Sequence, residues 1–320
     1  MEKAAGRKKW KIEGLSLGKA SANVGLPAEE LLEIAGEGCP PLPRKDLLQL
    51  ASACGIDPSA LTTAAPPWNV RGLGRPAKCT DIKAALAAAS PSIICLQETK
   101  LTDISIFKAY SFLPPACRSF LFVPSDGASG GILTAWNDSD WDCILLARSS
   151  SFISYSFSST FSSLSFCVTN VYGPCEHSEK QGFLDGLAAL EPSVPGPWAI
   201  LGDFNLTMRP SDRSNANFNH AEVASFAGWS NSLHLQEIPL LGRAFTWSSQ
   251  QTAPTLVRLD RAFVNIDWSG LFPNSTLSFL PHSTTTFSSV VLFANLFIMF
   301  GTTLGPAISP AASPASSIVA

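Results

Sequence analysis

The sequence predicts a mixed α/β (α+β) domain with sheets at its centre, and three observations lead there. Strand-type and helix-type signals alternate from residue 68 to residue 293. Residues 152–157 and 164–172 alternate apolar and polar with a period of two, the pattern of a hairpin. The chain is 46% hydrophobic and only 15% charged over 320 residues, enough to bury one large core or two smaller ones.

Residues 1–65 mix charged and small residues and read as an N-terminal appendage without recognisable chemistry. Two helical stretches are expected there, at 28–35 and near 45–54, parted by the Gly- and Pro-rich segment 36–43. Residues 64–67 (Ala-Ala-Pro-Pro) read as a linker. The main domain is expected at 66–293. Residues 81–89 predict a helix with Ile82, Ala85, Leu86 and Ala89 on one face, and a buried strand follows at 92–96. Further strands are expected at 119–124 and 131–136, the second entered through Gly130-Gly131. In the hairpin 152–172 the alternating serines are expected on a solvated outer face. Helices at 181–190 and 221–232 bracket the apolar strand 198–201. The apolar run 290–300 is too short to span a bilayer and reads as a terminal strand. Residues 294–320, rich in Thr, Gly, Ala, Ser and Pro, predict a low-complexity disordered tail.

The net charge of −3 excludes a whole-protein positive field, so any contact with nucleic acid must come from a local patch. Eight cysteines are scattered with no C-x-x-C pair, which argues against a zinc site and for free thiols in a reducing compartment. The basic cluster Lys3, Arg7, Lys8, Lys9 and Lys11 is not followed by an apolar stretch, so no signal peptide is expected. An intracellular protein of nucleus or cytoplasm, with no membrane partner, is the expectation.

Polar residues gather at expected strand ends. Gly202-Asp203-Phe204-Asn205 follows the apolar run 198–201, and a carboxylate and a carboxamide one residue apart there point the same way, into a cleft. Asp203 can take a proton from water, and Asn205 can hold a phosphoryl oxygen without adding repulsive charge. Glu98 ends the strand 92–96 as a lone acid, one hard oxygen ligand for a divalent ion such as Mg²⁺. Asn69 and Tyr172 offer neutral donors for phosphate oxygens, and Asp260 stands between Arg258 and Arg261. Taken singly, each has a plain alternative: a turn at 202–205, a solvated charge at Glu98, a core ring at Tyr172, a surface ion pair at Asp260.

As an ordered set, Asn69, Gln97-Glu98-Thr99, Tyr172, Gly202-Asp203-Phe204-Asn205 and Leu259-Asp260 resemble the endonuclease/exonuclease/phosphatase (DNase I-like) superfamily. The segments 68–73 (Trp-Asn-Val-Arg-Gly-Leu), Gly130-Gly131-Ile132, 242–247 (Gly-Arg-Ala-Phe-Thr-Trp) and Leu259-Asp260-Arg261 resemble more narrowly the endonuclease domain of plant LINE-type (non-LTR) retrotransposons. The resemblance covers about residues 66–293. It implies a four-layer sandwich of two central mixed β-sheets flanked by helices, and metal-dependent hydrolysis of DNA phosphodiesters with Mg²⁺ or Mn²⁺. By the same resemblance Glu98 holds the metal, Asp203 activates water, and Asn205 positions that water or the phosphate. Asn69 and Tyr172 contact phosphate oxygens, and Asp260 orients a later histidine.

That later histidine is missing. The family's terminal Ser-Asp-His falls on Thr285-Thr286-Phe287, so a ring that cannot hydrogen-bond replaces the histidine and a hydroxyl replaces the carboxylate. His282 sits five positions early and reads as a solvated loop residue (287 − 282 = 5). No reverse-transcriptase region follows residue 293, and the chain reads as a decayed retroelement fragment. Three functions are therefore in view: a metal-dependent nuclease with impaired catalysis, a non-catalytic nucleic-acid-binding or interaction remnant, and a phosphoester phosphatase.

Overall fold

The computed structural model describes residues 64–89, 91–127, 129–242, 244–249, 251–279 and 292–296. The helices expected at 28–35 and 45–54, the Thr285-Thr286-Phe287 segment, His282 and most of the expected tail lie outside the described residues.

In chain order the strands are β1 (Ala64–Asn69), β2 (Ile93–Gln97), β3 (Ser119–Asp126), β4 (Ser129–Trp136), β5 (Trp141–Arg148), β6 (Phe152–Ser159) and β7 (Ser165–Tyr172). They continue with β8 (Trp198–Asp203), β9 (Gln236–Glu237), β10 (Trp247–Ser248), β11 (Leu256–Val257), β12 (Asp260–Val264), β13 (Ser275–Phe279) and β14 (Leu292–Leu296). The helices are α1 (Pro76–Ala89), α2 (Ile106–Tyr110), α3 (Lys180–Ala188), α4 (His220–Ser232) and α5 (Ile266–Leu271).

Two six-stranded mixed sheets stack face to face. Their orders are β13-β14-β1-β2-β4-β3 and β5-β6-β7-β8-β12-β9. Each sheet holds one parallel pair at its centre, β1 with β2 and β7 with β8, and every other ladder is antiparallel. Period-two alternation builds the layers. Ile93 and Cys95 of β2 face the inter-sheet core with Tyr155, Val168 and Leu201, while Ile94 and Leu96 face outward against Ile82 and Leu86 of α1. On the opposite side Ile200 and Phe263 pack under Leu187 of α3 and Phe226 and Trp229 of α4. Helix, sheet, sheet and helix make four layers, the sandwich that the sequence resemblance implies.

Several elements depart from the sequence reading. The expected linker 64–67 is the first part of β1, in the middle of a sheet; its register with β2 shifts between Ala64 and Pro67, where proline cannot donate to a ladder. The helix expected from 81 begins at Pro76, a residue that starts helices well because its missing N–H has no intrahelical acceptor there. The serines of β6 are not all on a solvated face. Ser154 is fully buried and its hydroxyl pairs with that of Thr169 at 2.8 Å, because both faces of this part of the sheet are covered. Helix α5 is announced only by its cap, the Asn265 side chain accepting from Trp268 N–H at 3.0 Å.

Phe204 fastens the end of β8. Its ring lies 5.2 Å from those of both Phe226 and Phe263 and 5.9 Å from that of Trp229, and it is fully buried. Phe204→Ala is expected to cost about 3–5 kcal/mol in urea denaturation. A loss below about 1 kcal/mol would show that the aromatic cluster does not anchor this strand end.

Candidate functional site

Strands that run parallel end at the same edge, so β1 and β2 finish together, as do β7 and β8. Asn69 is in register with Gln97, the residue before Glu98, and Tyr172 is in register with Asp203. The two sheets bring these ends to one rim. There a cleft of about 660 Å³ is lined by Asn69, Glu98, Tyr172, Asp203 and Asn205 among others. Asp260, the first residue of β12, is opposite Asp203 across the antiparallel ladder and lies buried behind it.

The backbone is forced at these exits. Arg71, Glu98, Lys100 and Asn205 all have φ between 47° and 54°, the left-handed region that asparagine tolerates and the others occupy at about 1–2 kcal/mol each. Two glycines permit it. Gly202 has φ +148°, and a Cβ there would strike the Val171 carbonyl; Gly131, at φ +88°, passes the Thr99 hydroxyl as closely.

Asn69 Nδ2 donates to Asp203 Oδ2 at 2.6 Å, and its Oδ1 accepts from Arg71 N–H at 3.1 Å. Asn205 N–H donates to Asp203 Oδ1 at 3.0 Å, and Asn205 Nδ2 donates to the Gly173 carbonyl at 2.8 Å. Both oxygens of Asp203 are thereby fixed. One amide proton of Asn69 is committed to Asp203, so Asn69 orients the carboxylate as well as facing the cleft. Glu98 is ion-paired with Lys100 at 2.9 Å and largely covered.

Asp260 is not half of a surface ion pair. Arg258 binds Glu237 at 2.9 Å, and the fully buried Arg261 binds Glu237 and, at 2.5 Å, Asp212. Asp212 also accepts from the N–H groups of Met208 and Arg209, so this network ties the loop after Asn205 to β12. Among the described residues Asp260 Oδ1 has no hydrogen-bond partner.

Burial, opposed by Asn69 and the Asn205 N–H and reinforced by Glu98, pushes the Asp203 carboxyl up to about 6. Burial and the neighbouring charge of Asp203 raise Asp260 well above the usual carboxylate range. Tyr172 is raised by burial and by Glu98 and Asp203, and stays a neutral donor.

The donor set fits one hard cation. Glu98 is the carboxylate at the cleft not already held by amide groups, and the rest of the lining offers oxygen and amide donors. Among the described residues no three His, Cys, Asp or Glu side chains meet in a metal-ligating cluster, so water and substrate phosphate would complete the shell.

The sequence reading missed a second bank of the cleft: Cys175, His177, Lys180, Arg213, Glu222 and Trp247. His177 stands five residues after Tyr172 on the same chain exit (177 − 172 = 5), the signal that would have placed it. Six free cysteines are described; Cys79, Cys95, Cys117 and Cys167 are buried, and Cys175 is exposed. Among the described residues no helix is long and apolar enough to cross a membrane.

Residues 68–278 match the model of the Endonuclease/Exonuclease/phosphatase family. No curated protein matches the chain. Among solved structures, the endonuclease domain of TRAS1, a telomere-specific non-LTR retrotransposon, is similar at 14% identity, TM-score 0.50, over 67% of this chain and 92% of that one. The Xenopus laevis APE2 catalytic domain is similar at 18% identity, TM-score 0.51, over 71% and 90%. NExo, a Neisseria 3′ phosphatase bound to a product DNA hairpin, is similar at 15% identity, TM-score 0.51, over 71% and 96%. Each of these likenesses is one of fold.

Asp203 and Asp260 bind protons more tightly folded than unfolded. For Asp203 the stabilising contribution is therefore full below about pH 4, the ordinary carboxylate range, and is lost as pH rises through about 6; Asp260 shifts in the same direction. In EDTA, Asp260→Asn is expected to be more stable than the parent at pH 8, where the raised carboxyl must ionise in its buried site. The difference should vanish near pH 4. Thermal melts across pH check it, and equal melting at pH 8 would refute the assigned strain.

Proposed function

Because the chain belongs to the endonuclease/exonuclease/phosphatase family, we propose that it is a metal-dependent DNA phosphodiesterase whose catalysis is impaired at its last motif. The observation that carries this reading is the Asn69–Asp203–Asn205 hydrogen-bond chain, which fixes a buried carboxylate at the floor of an open cleft beside Glu98.

Glu98 would hold Mg²⁺ or Mn²⁺, which supplies charge stabilisation to a phosphoryl oxygen when bound. Asp203 takes the proton of the attacking water, and its raised proton affinity suits that task near neutral pH. The second amide proton of Asn205 and the Tyr172 hydroxyl donate to non-bridging phosphate oxygens. The negative charge that develops there meets amide and hydroxyl donors rather than further carboxylates.

DNA as partner is supported by charge placement. The net charge is negative, yet Arg71, Arg75, Lys78 and Lys100 are close enough together beside Glu98 that burial and their mutual repulsion lower the proton affinity of Lys78. That is a local cationic bank of the kind a phosphate backbone needs. The product hairpin held by NExo is in keeping with such a substrate.

Impairment rests on Thr286 and Phe287. A positioned acid–base group typically contributes roughly 10²- to 10⁴-fold, and neither residue supplies one. The same observation favours, as a second reading, a binding remnant that holds nucleic acid without cleaving it.

With supercoiled plasmid and Mg²⁺ or Mn²⁺, slow nicking is expected that disappears in Asp203→Ala. Nicking unchanged in that variant would sink the reading. The double substitution Thr286→Asp with Phe287→His should raise the rate by at least about 10-fold. Replacing Arg75 and Lys78 by Gln should weaken DNA binding and flatten its salt dependence by about one to two phosphate contacts, at roughly 0.9 in log–log slope per contact.

A further inference from the structure

The second bank of the cleft carries a charge-linked histidine that the proposed function leaves unused. His177 opens the 3₁₀ turn His177–Glu179 that leads into α3, and Glu222 sits in the first turn of α4. Imidazole Nδ1 of His177 contacts Glu222 Oε1. Glu222 Oε2 is bound by Lys180 Nζ at 2.9 Å, and Asn219 Nδ2 approaches Oε1 at 3.4 Å. Lys180 is itself buried, so the carboxylate is held from behind by a fixed cation rather than by a waving surface chain. Burial alone would raise Glu222, but His177 and Lys180 outweigh it and hold its carboxyl below the usual range.

The histidine ring is the open end of this chain of contacts. Its side chain is 74% exposed, and it lines the cleft that holds Asp203 and Asn205. Cys175 lines the same cleft, where burial and the charges of Asp203 and Glu98 raise its thiol against the opposing pull of Lys180. Helices α3 and α4 share one buried cluster with β8, so the dyad and Asp203 are built on the same packed unit. An ordinary exposed ion pair does not need three supports; such pairs contribute little and are held loosely. Among the described residues, His177 is the histidine that lines this cleft.

Resting on the phosphodiesterase reading above, we propose that His177, oriented by Glu222, is the proton donor to the leaving oxygen. Water attacks phosphorus and gives its proton to Asp203. The bond from phosphorus to the leaving sugar oxygen breaks with its electron pair on that oxygen, which takes the proton from Nε2 of the imidazolium. One water and one diester become one monoester and one alcohol, and the imidazole is left neutral with Nδ1–H on Glu222. Solvent returns the proton from Asp203 to the ring. The 3₁₀ turn before α3 thereby supplies a proton donor to a site that remains short of the family's terminal histidine.

The test uses the full chain with Mn²⁺ and a DNA duplex carrying sulfur in place of either bridging oxygen at the mapped cleavage position. A thiolate leaves without protonation, so a proton donor matters only for the oxygen linkage. His177→Gln is expected to lose about 10²-fold on oxygen and less than about 3-fold on the sulfur linkage that leaves, and Glu222→Gln to show a smaller loss of the same kind. Equal losses on both linkages would overturn the assignment in favour of a structural role. No loss on either, with cleavage still abolished in Asp203→Ala, would overturn it and leave the phosphodiesterase reading standing. If neither linkage is cleaved by the parent chain, that reading and the inference fall together. Because the ring is exposed, His177→Gln should melt with the parent, which separates chemistry from folding.

Discussion

The structure depends on the packing of two parallel strand pairs against each other at the centre of the sandwich. A parallel pair ends both strands on one edge, and two such pairs stacked face to face deliver four strand ends to one rim. The alignment is held across the dry core by polar groups. Gln97 Nε2 of β2 donates to Asn170 Oδ1 of β7 at 2.5 Å, and Asn170 Nδ2 donates to the Leu133 carbonyl at 3.0 Å and to the Thr134 hydroxyl at 3.1 Å. Apolar contact alone tolerates sliding; a buried amide pair does not, because a shift would leave its donors unpaired. The Asn69–Asp203 bond repeats the tie at the rim, so the site itself is part of what registers the sheets.

The rim concentrates unfavourable terms. Residues in the left-handed region, a carboxylate opposite a carboxylate, and a cationic bank that depresses Lys78 all lie within one cleft. The layers beneath offset them. Phe204 sits between Asp203 and Asn205 and sends its ring into a cluster with Phe183, Phe226, Trp229 and Phe263, so the two polar residues stay aimed at the cleft. Arg261, fully buried and paired with Asp212 and Glu237, does the same for the loop that follows. Strain of this kind persists where surrounding packing over-determines the backbone, and it collects where ligands are bound.

Much of this was legible in the residues. Period-two alternation located β6 and β7, and short apolar runs located β2, β3, β4 and β8. Motif order located Asn69, Glu98, Tyr172, Asp203 and Asn205, which the structure brings to one cleft. What was not legible follows a physical rule. Ser154 looks solvated because a serine in an alternating strand usually is, and only the covering layer makes it a buried partner for Thr169. Prolines 66 and 67 look like a linker, since local chemistry cannot show that a register shift accommodates them. His177 and Glu222 are 45 residues apart, and no local pattern announces that α3 and α4 will pack. Local propensity reads elements, whereas pairings across long loops are decided by burial.

The orphan oxygen of Asp260 and the supported ring of His177 belong to one account. Burial and the charge of Asp203 raise Asp260 well above the usual carboxylate range, so its ionised form weakens the fold as pH rises. The two carboxylates stand opposite each other across one ladder, and Asp203 is itself raised by burial and by the charge of Glu98. Asp203 is thereby tuned toward neutrality as a base. A base tuned in this way is useful only with an acid to complement it. Among the described residues the cleft presents one imidazole, already tied at Nδ1 to a carboxylate whose charge a buried lysine secures. Base and acid therefore line one cleft, each held by neighbours that are themselves packed, so a reaction at a phosphate seated there can give a proton to one and take a proton from the other.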